Sequence, residues 1–124
     1  MNKTLQVSLQ DVMQISQEIL EISGYGTSHV KAIAQMLYTC QLDDCQSHGL
    51  FRLFMCAESI RAAKINGQIE PHISTSGMAI VRADAAGGMS LLAVDAAISK
   101  LIEKNRQHGI AALSVNRCFH FWAL

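Results

Sequence analysis

One short segment concentrates the side chains best suited to chemistry, Ser-His-Gly-Leu-Phe-Arg at residues 47–52. The sequence predicts that a third helix starts here, with Ser47 as its N-cap and with His48 and Arg52 on one face. The free amides and positive dipole end of a helix favour an anion, and the planar guanidinium of Arg52 can hold a carboxylate through paired hydrogen bonds. A histidine beside a bound carboxylate can give or take one proton. The segment therefore predicts a carboxylate-binding corner with a proton donor.

A simpler interpretation of the same segment stays open, and the residues taken alone favour it. In this interpretation Ser47 only caps the helix, and His48 and Arg52 lie in solvent. Two other residues receive no chemical role. Cys45 is expected to be a packed thiol because the sequence places no base for it, and His29 is expected at the surface or partly packed, just inside a helix start.

The first part of the sequence predicts three helices that carry this segment. Ser8 and Asp11 form a capping box, and apolar residues at helical spacing follow it. A glycine turn at residues 24–26 separates this helix from a second one, which Thr27 or Ser28 can cap. The third helix begins at the segment itself and lasts until an Asn-Gly turn.

The following part of the sequence predicts two strands around a long helix. Residues 71–77 have the composition of a loop, and the apolar, partly β-branched residues 78–81 predict a buried strand. Ser90 can cap a fourth helix, which Gly109 ends, and residues 110–115 predict a second strand. A strand, a long helix and another strand form the pattern of a βαβ unit with parallel strands.

These elements define an α/β fold in which an N-terminal helical subdomain, residues 1–67, precedes the start of a mixed sheet, residues 68–124. The last six residues of the chain include the aromatic residues Phe119, Phe121 and Trp122, whereas terminal segments are usually polar. Two strands with unpaired edges are the beginning of a sheet rather than a whole one. We therefore expect the second domain to be incomplete and the chain to be truncated. A C-terminal strand that docks and ends is the alternative.

Composition and charge exclude several classes of protein. Half of the 124 residues are hydrophobic and 16% are charged, which excludes intrinsic disorder. The formal net charge is zero, which disfavours nucleic-acid partners, and a helix-turn-helix interpretation has only Lys31 and Gln35 as long polar side chains on its second helix. We expect a cytoplasmic protein with no membrane partner, because no secretory signal and no apolar run of roughly 20 residues is present. The four cysteines lack C-x-x-C spacing and are expected to be reduced, with no metal bound.

Several segments resemble the malate/L-lactate dehydrogenase-like NAD(P) oxidoreductases, a family distinct from the Rossmann-fold lactate and malate dehydrogenases. The Ser-His-Gly-Leu-Phe-Arg segment is one of them, and Val-Arg-Ala-Asp-Ala-Ala-Gly-Gly at residues 81–88 is similar to a strand and turn of the family. His-Gly-Ile-Ala at residues 108–111, followed by Asn116 and by His120-Phe121, resembles a third family segment. The resemblance covers nearly the whole chain from about Val7. Within the family it is greatest for the Δ1-piperideine-2-carboxylate and Δ1-pyrroline-2-carboxylate reductases.

The resemblance implies a reductase and assigns roles to individual residues. His48 would be the general acid/base, which protonates the double bond while a hydride arrives from the nicotinamide of NADP or NAD. Ser47 and Arg52 would hold the substrate carboxylate. His120 and Asn116 would lie at the cofactor pocket. The substrate would be a small carboxylate, and the family implies a homodimer.

Some positions depart from the family pattern. Trp122 stands where Gly or Ala is usual, Gln46 where an acidic residue is usual, and Met89-Ser90 where an aromatic residue and Gln are usual. Family members are also much longer, and most of their cofactor site lies beyond the part that this chain covers. Two other functions therefore stay open. One is a dehydrogenase of 2-hydroxy acids such as malate or L-lactate, and the other is an inactive truncated fragment that acts at most as an interaction module.

Overall fold

The computed structural model describes residues 5–121, and in them helices come first and a small sheet follows. The elements, in chain order, are α1 Leu9–Ser23, α2 Thr27–Leu42, a short 3-10 turn Gln46–His48, α3 Arg52–Arg61, β1 His72–Ser76, β2 Ile80–Asp84, α4 Ser90–His108 and β3 Ala112–Asn116. The predicted α/β class, with a helical part before a mixed sheet, is confirmed. The expectations that rest on Trp122 lie outside the described residues.

The first helix begins and ends as its sequence predicts. The Ser8 hydroxyl accepts from the Asp11 N–H at 3.1 Å, and the Asp11 carboxylate accepts from the Ser8 N–H at 2.9 Å, so the capping box is confirmed. Hydrogen bonding to Ser8 lowers the pKa of Asp11, which keeps the carboxylate charged at the positive end of the helix. Gly24 ends the helix at a φ of 101°, a left-handed conformation that suits glycine.

The second helix starts without the side-chain cap that the sequence predicts. Gly26 is its N-cap, and neither Thr27 nor Ser28 supplies a capping hydrogen bond. Instead the Gly26 N–H donates to the Gly67 carbonyl at 2.8 Å. A distant loop therefore fixes the entry to α2, and this contact has no local sequence signal.

The three N-terminal helices share one buried core. Leu20 of α1, Ile33 of α2 and Cys56 of α3 are completely inaccessible to solvent. Tyr25, between α1 and α2, adds its ring to this core, and its hydroxyl donates to the Cys56 carbonyl at 2.9 Å. Burial raises the pKa of Tyr25, so the hydroxyl stays protonated and keeps this bond across the core.

The sheet has the order β1-β2-β3, with an antiparallel pair β1-β2 and a parallel pair β2-β3. Helix α4 makes the crossover between the parallel strands, so the predicted βαβ unit is confirmed. Val81 and Ala83 of β2 are buried beneath Ala93 and Ala97 of α4. These small residues let the helix lie close to the sheet.

The structure corrects the strand boundaries. Residues 71–77 were predicted as a loop, but His72–Ser76 forms β1. The hydrophobic pattern misses this strand because it lies at an edge of the sheet and most of its residues are polar and exposed. The two predicted strands begin later than expected, at Ile80 and Ala112. Residues 77–79 before the first strand form a turn, in which Met78 is 77% exposed, and residues 110–111 before the second have no regular structure.

Helix α4 connects the helical core to the sheet. Met89, just before the helix, and Leu91 in its first turn pack into the core of the N-terminal helices together with Phe121. The later residues of the helix pack on the sheet. The domain boundary predicted at residue 67 stays a prediction. In the part of the chain that the structure describes, no helix has both the length and the apolarity that crossing a membrane requires.

Candidate active site

The segment at residues 47–52 has a different local structure from the predicted helix start. Residues Gln46–His48 form a 3-10 turn, and α3 begins only at Arg52, with Phe51 as an N-cap that makes no side-chain hydrogen bond. Ser47 is therefore not the N-cap of α3, and His48 and Arg52 do not share a face of one helix. The predicted anion corner at a helix N-terminus is wrong in this form.

The reason for this turn is a contact between Gly49 and Gln41 of α2. The Gln41 Oε1 atom accepts from the Leu50 N–H at 3.0 Å, so the α2 side chain holds the backbone that follows the turn. A Cβ atom built on Gly49 would lie 1.8 Å from that same oxygen. Only glycine therefore allows the Gln41 amide to reach Leu50. The sequence around Gln41 does not indicate this role, because nothing in its local pattern predicts a contact with a segment beyond the end of α2.

The His48 imidazole lies half-buried at the end of this turn. Its Nδ1 atom is 3.0 Å from the Ser47 Oγ atom and 4.0 Å from the Cys45 Sγ atom. Among the described residues, the Nε2 atom has no hydrogen-bond partner. The imidazole is thus held on one side and available on the other for a proton transfer.

The Arg52 side chain holds the same turn by bonding to the backbone of the turn. Its Nε–H donates to the Ser47 carbonyl at 2.9 Å, and its Nη1 atom lies 3.6 Å from the Met55 sulfur. The guanidinium makes no salt bridge with an acidic residue in the described part of the chain. Its remaining N–H groups can therefore serve an anionic ligand.

A second cluster forms where the segment after β3 meets the start of α4. The Phe119 N–H donates to the Gly88 carbonyl, and the Ser90 N–H donates to the Phe119 carbonyl, both at 2.9 Å. The Ser90 Oγ atom lies 2.8 Å from the His120 Nδ1 atom. The predicted capping role of Ser90 is wrong, because Met89 is the N-cap of α4 and the hydroxyl contacts His120 instead.

Arg52 and Phe121 bring the two clusters together. The guanidinium carbon lies 6.0 Å from the centroid of the Phe121 ring, within the range of a cation–π contact. Phe121 is only 6% exposed and belongs to the helical core. The segment that carries His120 is therefore anchored beside the segment that carries His48.

Asn116 is the last residue of β3, and it lies at the end of the parallel strand pair that precedes the start of α4. Its side-chain amide nitrogen donates to the Ser114 hydroxyl at 3.2 Å, and its main-chain carbonyl accepts from the Ala85 N–H at 2.9 Å. The structure gives no contact between Asn116 and either histidine. Asn116 is nevertheless at the carboxyl end of a parallel strand, the edge at which α/β sheets bind ligands.

An ion pair fixes the turn between Asn116 and His120. The Arg117 Nε–H donates to an Asp84 oxygen at 2.9 Å, across the ends of β2 and β3. The hydrogen bond from Arg117 lowers the pKa of Asp84 to about 2, so the pair is charged at neutral pH. The sequence alone predicts no role for either residue, although Asp84 lies within the quoted residues 81–88.

His29 is buried, whereas the sequence predicts a surface or partly packed position. It is 2% exposed, and an N–H at its Nε2 atom donates to the Ile69 carbonyl at 2.9 Å. Its Nδ1 atom is buried and has no partner among the described residues. Burial lowers the pKa of His29, so the ring is neutral in the folded chain. The ring lies against Gly88, where a Cβ atom would approach it to 3.0 Å.

Comparisons with known proteins find relatives for nearly the whole chain. The family model described as malate/L-lactate dehydrogenase matches residues 7–124. The chain is 39% identical over 118 residues to the Delta(1)-pyrroline-2-carboxylate reductase 2 of Burkholderia multivorans, which is 95% of this chain and 35% of that protein. It is 37% identical over 120 residues to the Delta(1)-pyrroline-2-carboxylate/Delta(1)-piperideine-2-carboxylate reductase of Pseudomonas aeruginosa, which is 97% of this chain and 36% of that protein.

Solved structures give the same result for the fold. The delta1-piperideine-2-carboxylate reductase of Pseudomonas syringae matches 98% of this chain and 36% of its own, at a TM-score of 0.92 and 31% identity. The malate dehydrogenase of Entamoeba histolytica matches 96% of this chain and 33% of its own, at a TM-score of 0.85 and 20% identity, and so shows the fold alone. This chain thus spans 35% to 36% of the length of the two reductase sequences that it matches.

Proposed function

This chain belongs to the malate/L-lactate dehydrogenase family, and from that premise we propose that it carries the proton-donating and carboxylate-binding part of a nicotinamide-dependent oxidoreductase. One observation carries the proposal. Arg52 lies over Phe121 and so joins the turn that holds His48 to the segment that holds His120. An acid/base, an anion-binding group and a second imidazole are thereby held on one framework.

His48 is the proton donor in this proposal. Its Nδ1 side is held by Ser47, and its Nε2 atom is the one that gives a proton to the nitrogen or oxygen of the double bond. A half-buried imidazole can exchange that proton with solvent between turnovers. The proposal needs no movement of the ring, because the ring is already held by the Ser47 contact.

Arg52 and Ser47 bind the substrate carboxylate. The Arg52 Nε–H is used on the Ser47 carbonyl, which leaves the terminal N–H groups for the ligand. Because this contact fixes the guanidinium relative to His48, binding the carboxylate also sets the distance from the reducible carbon to the proton donor. Positioning of this kind is a major source of rate enhancement in enzymes.

His120 and Asn116 contribute to the cofactor pocket. The family implies NADP or NAD, and such a cofactor supplies a hydride when it is bound. The side chains of His120 and Asn116 suit such a cofactor chemically, since an imidazole and a carboxamide can bind the amide and hydroxyl groups of a nucleotide. Arg117, the cation nearest to them in sequence, is already paired with Asp84, so the two residues suit uncharged groups of the cofactor rather than a phosphate.

The substrate that we propose is a small cyclic imine with a carboxylate on the imine carbon, as in Δ1-pyrroline-2-carboxylate or Δ1-piperideine-2-carboxylate. The names of the relatives from Burkholderia multivorans and Pseudomonas aeruginosa support this choice. The description of the family model supports the second candidate, a dehydrogenase of 2-hydroxy acids. Both substrates have a carboxylate next to the reacting carbon, so Arg52 and His48 keep the same roles for either.

Binding of a stable analogue tests the anion-binding role. Pyrrole-2-carboxylate is a planar five-membered ring with the same carboxylate, and calorimetry on the purified chain measures its Kd. We expect saturable binding that Arg52→Gln weakens about tenfold or more, since hydrogen bonds to charged groups are worth about 1.5–3 kcal/mol. Arg82→Gln, at an exposed arginine of β2, is the matched control and should bind as the native chain does. Equal binding to the native chain and Arg52→Gln would contradict the role.

A further inference from the structure

We propose that Ser90 is a positioning residue that fixes both the orientation and the proton location of the His120 ring. The proposal rests on the function proposed above, in which His120 lies at the cofactor pocket. It starts from an unusual pairing. Ser90 is 2% exposed, whereas the histidine that it contacts is exposed. A buried hydroxyl thus reaches a side chain that would otherwise turn freely in solvent.

The backbone holds both partners of this contact. The Ser90 N–H donates to the Phe119 carbonyl, and the Phe119 N–H donates to the Gly88 carbonyl, so the two segments run side by side like paired strands. Ser90 is also the first residue of α4. Neither segment can therefore shift alone, and the 2.8 Å between Ser90 Oγ and His120 Nδ1 is set by the fold.

The direction of the hydrogen bond follows from the partners available. Among the described residues, the Ser90 hydroxyl has no other hydrogen-bond partner, so it has no other protein acceptor for its proton there. It therefore donates to Nδ1 of the neutral ring. A neutral imidazole carries one proton, so that proton lies on Nε2. His120 then presents an N–H donor at Nε2, in a fixed direction, to an acceptor such as an amide or hydroxyl oxygen of the cofactor.

The two histidines of the site are fixed in different ways. Ser47, which contacts His48, is exposed and directly precedes it in the turn, and the Ser47 carbonyl is held by Arg52. Ser90 comes from another element, 30 residues before His120. Loss of Ser90 should therefore free the His120 ring and leave His48 unchanged.

Nitrogen-15 NMR at mildly alkaline pH, where imidazole rings are neutral, tests the position of the proton directly on the native chain. We expect the His120 ring of the native chain to show the proton on Nε2 alone. Ser90→Ala should give signals averaged between the two proton positions, and Ser90→Cys, which keeps the size but is a poor donor, should do the same. Ser90→Thr, which keeps the hydroxyl, should restore the native signals. Identical His120 signals in the native chain and in both Ser90→Ala and Ser90→Cys would overturn the proposal.

A matched control separates this effect from a general loss of stability. Ser16 of α1 is also fully buried, and its hydroxyl donates to the Val12 carbonyl at 2.6 Å. Ser16→Ala should leave the His120 signals as they are. If it alters them as much as Ser90→Ala does, the change comes from the fold and the proposal fails.

A cofactor titration tests the functional part separately. We expect NADPH or NADH to bind about three- to tenfold more weakly to Ser90→Ala, as for one lost hydrogen bond, and Ser90→Thr to recover the native Kd. Equal binding by the native chain and Ser90→Ala would overturn the role of Ser90 at the cofactor. A native chain that binds neither nucleotide would contradict the proposed function instead, and the NMR comparison would still decide whether Ser90 fixes the ring.

Discussion

The contact between Gln41 and Gly49 gives a prediction whose sign and size come from the structure. A methyl group on Gly49 would lie 1.8 Å from the present position of the Gln41 Oε1 atom, far closer than van der Waals contact allows. In Gly49→Ala the flexible Gln41 side chain must therefore swing away. It then releases the Leu50 N–H, to which it is bonded at 3.0 Å.

The cost of this change follows from the lost hydrogen bond. Leaving a partly buried N–H without its partner costs about 1–3 kcal/mol, so we expect Gly49→Ala to destabilise the chain by that amount. Gln41→Ala removes the same bond and should cost a similar amount. The double variant, Gln41→Ala with Gly49→Ala, should then cost little more than either single variant, because the bond is lost only once. The coupling energy should thus be close to the cost of losing this bond once, about 1–3 kcal/mol.

Urea unfolding followed by circular dichroism measures the four free energies of this cycle. Any intrinsic preference of the Gly49 backbone for glycine cancels between the two parallel sides of the cycle. Destabilisation that is additive within about 0.5 kcal/mol would refute the reasoning, because it would mean that Gln41 and Gly49 act independently.

Three further predictions concern pH and assembly. Burial lowers the pKa of His29 below 6.5, so its neutral form favours the fold above about pH 6.5, and this contribution is lost as the pH falls below that value. His29→Gln should therefore reduce the fall in Tm between about pH 7.5 and pH 5.5. An unchanged fall in Tm would contradict the assignment. Arg117 lowers the pKa of Asp84 from 3.8 to about 2, so the contribution of Asp84 to stability is present above about pH 4 and is lost towards pH 2. Thermal melts of Asp84→Asn should lack this acid transition. A native-like transition would show that the pair does not stabilise the fold. The homodimer that the family resemblance implies should appear in sedimentation velocity at micromolar concentration, and a monomer at all concentrations would contradict it.

The parts of the fold that follow from the sequence are those whose determinants are local. The capping box of Ser8 and Asp11 and the glycine after α1 lie next to the helix that they delimit. The βαβ unit follows from two apolar strands on either side of a long helix. Strand β1 was not predicted, because an edge strand needs pairing partners more than apolar residues, and its polar side chains resemble those of a loop.

The candidate site shows the same division. The residue types predict roles for His48, Arg52 and His120. The turn that holds His48 was predicted wrongly, because Gln41 on the preceding helix binds the backbone that follows this turn. The burial of His29 depends on Ile69, distant in sequence. The contact between Ser90 and His120 spans 30 residues and runs against the usual capping role of a serine at a helix start. Residue types and spacing indicate chemistry, whereas the partners that orient them come from tertiary packing.

The central claim is that His48 supplies the proton in a nicotinamide-dependent reduction. The most direct measurement is NADPH consumption by a chimera in which this chain replaces the matching N-terminal part of the Pseudomonas syringae reductase, whose fold it shares at a TM-score of 0.92. With Δ1-piperideine-2-carboxylate as substrate, we predict turnover that His48→Ala lowers about 100-fold or more, as for the loss of a general acid. His108→Ala, at an exposed histidine at the end of α4, should have no effect. A folded chimera that is inactive, or one in which His48→Ala turns over as fast as His108→Ala, would contradict the claim.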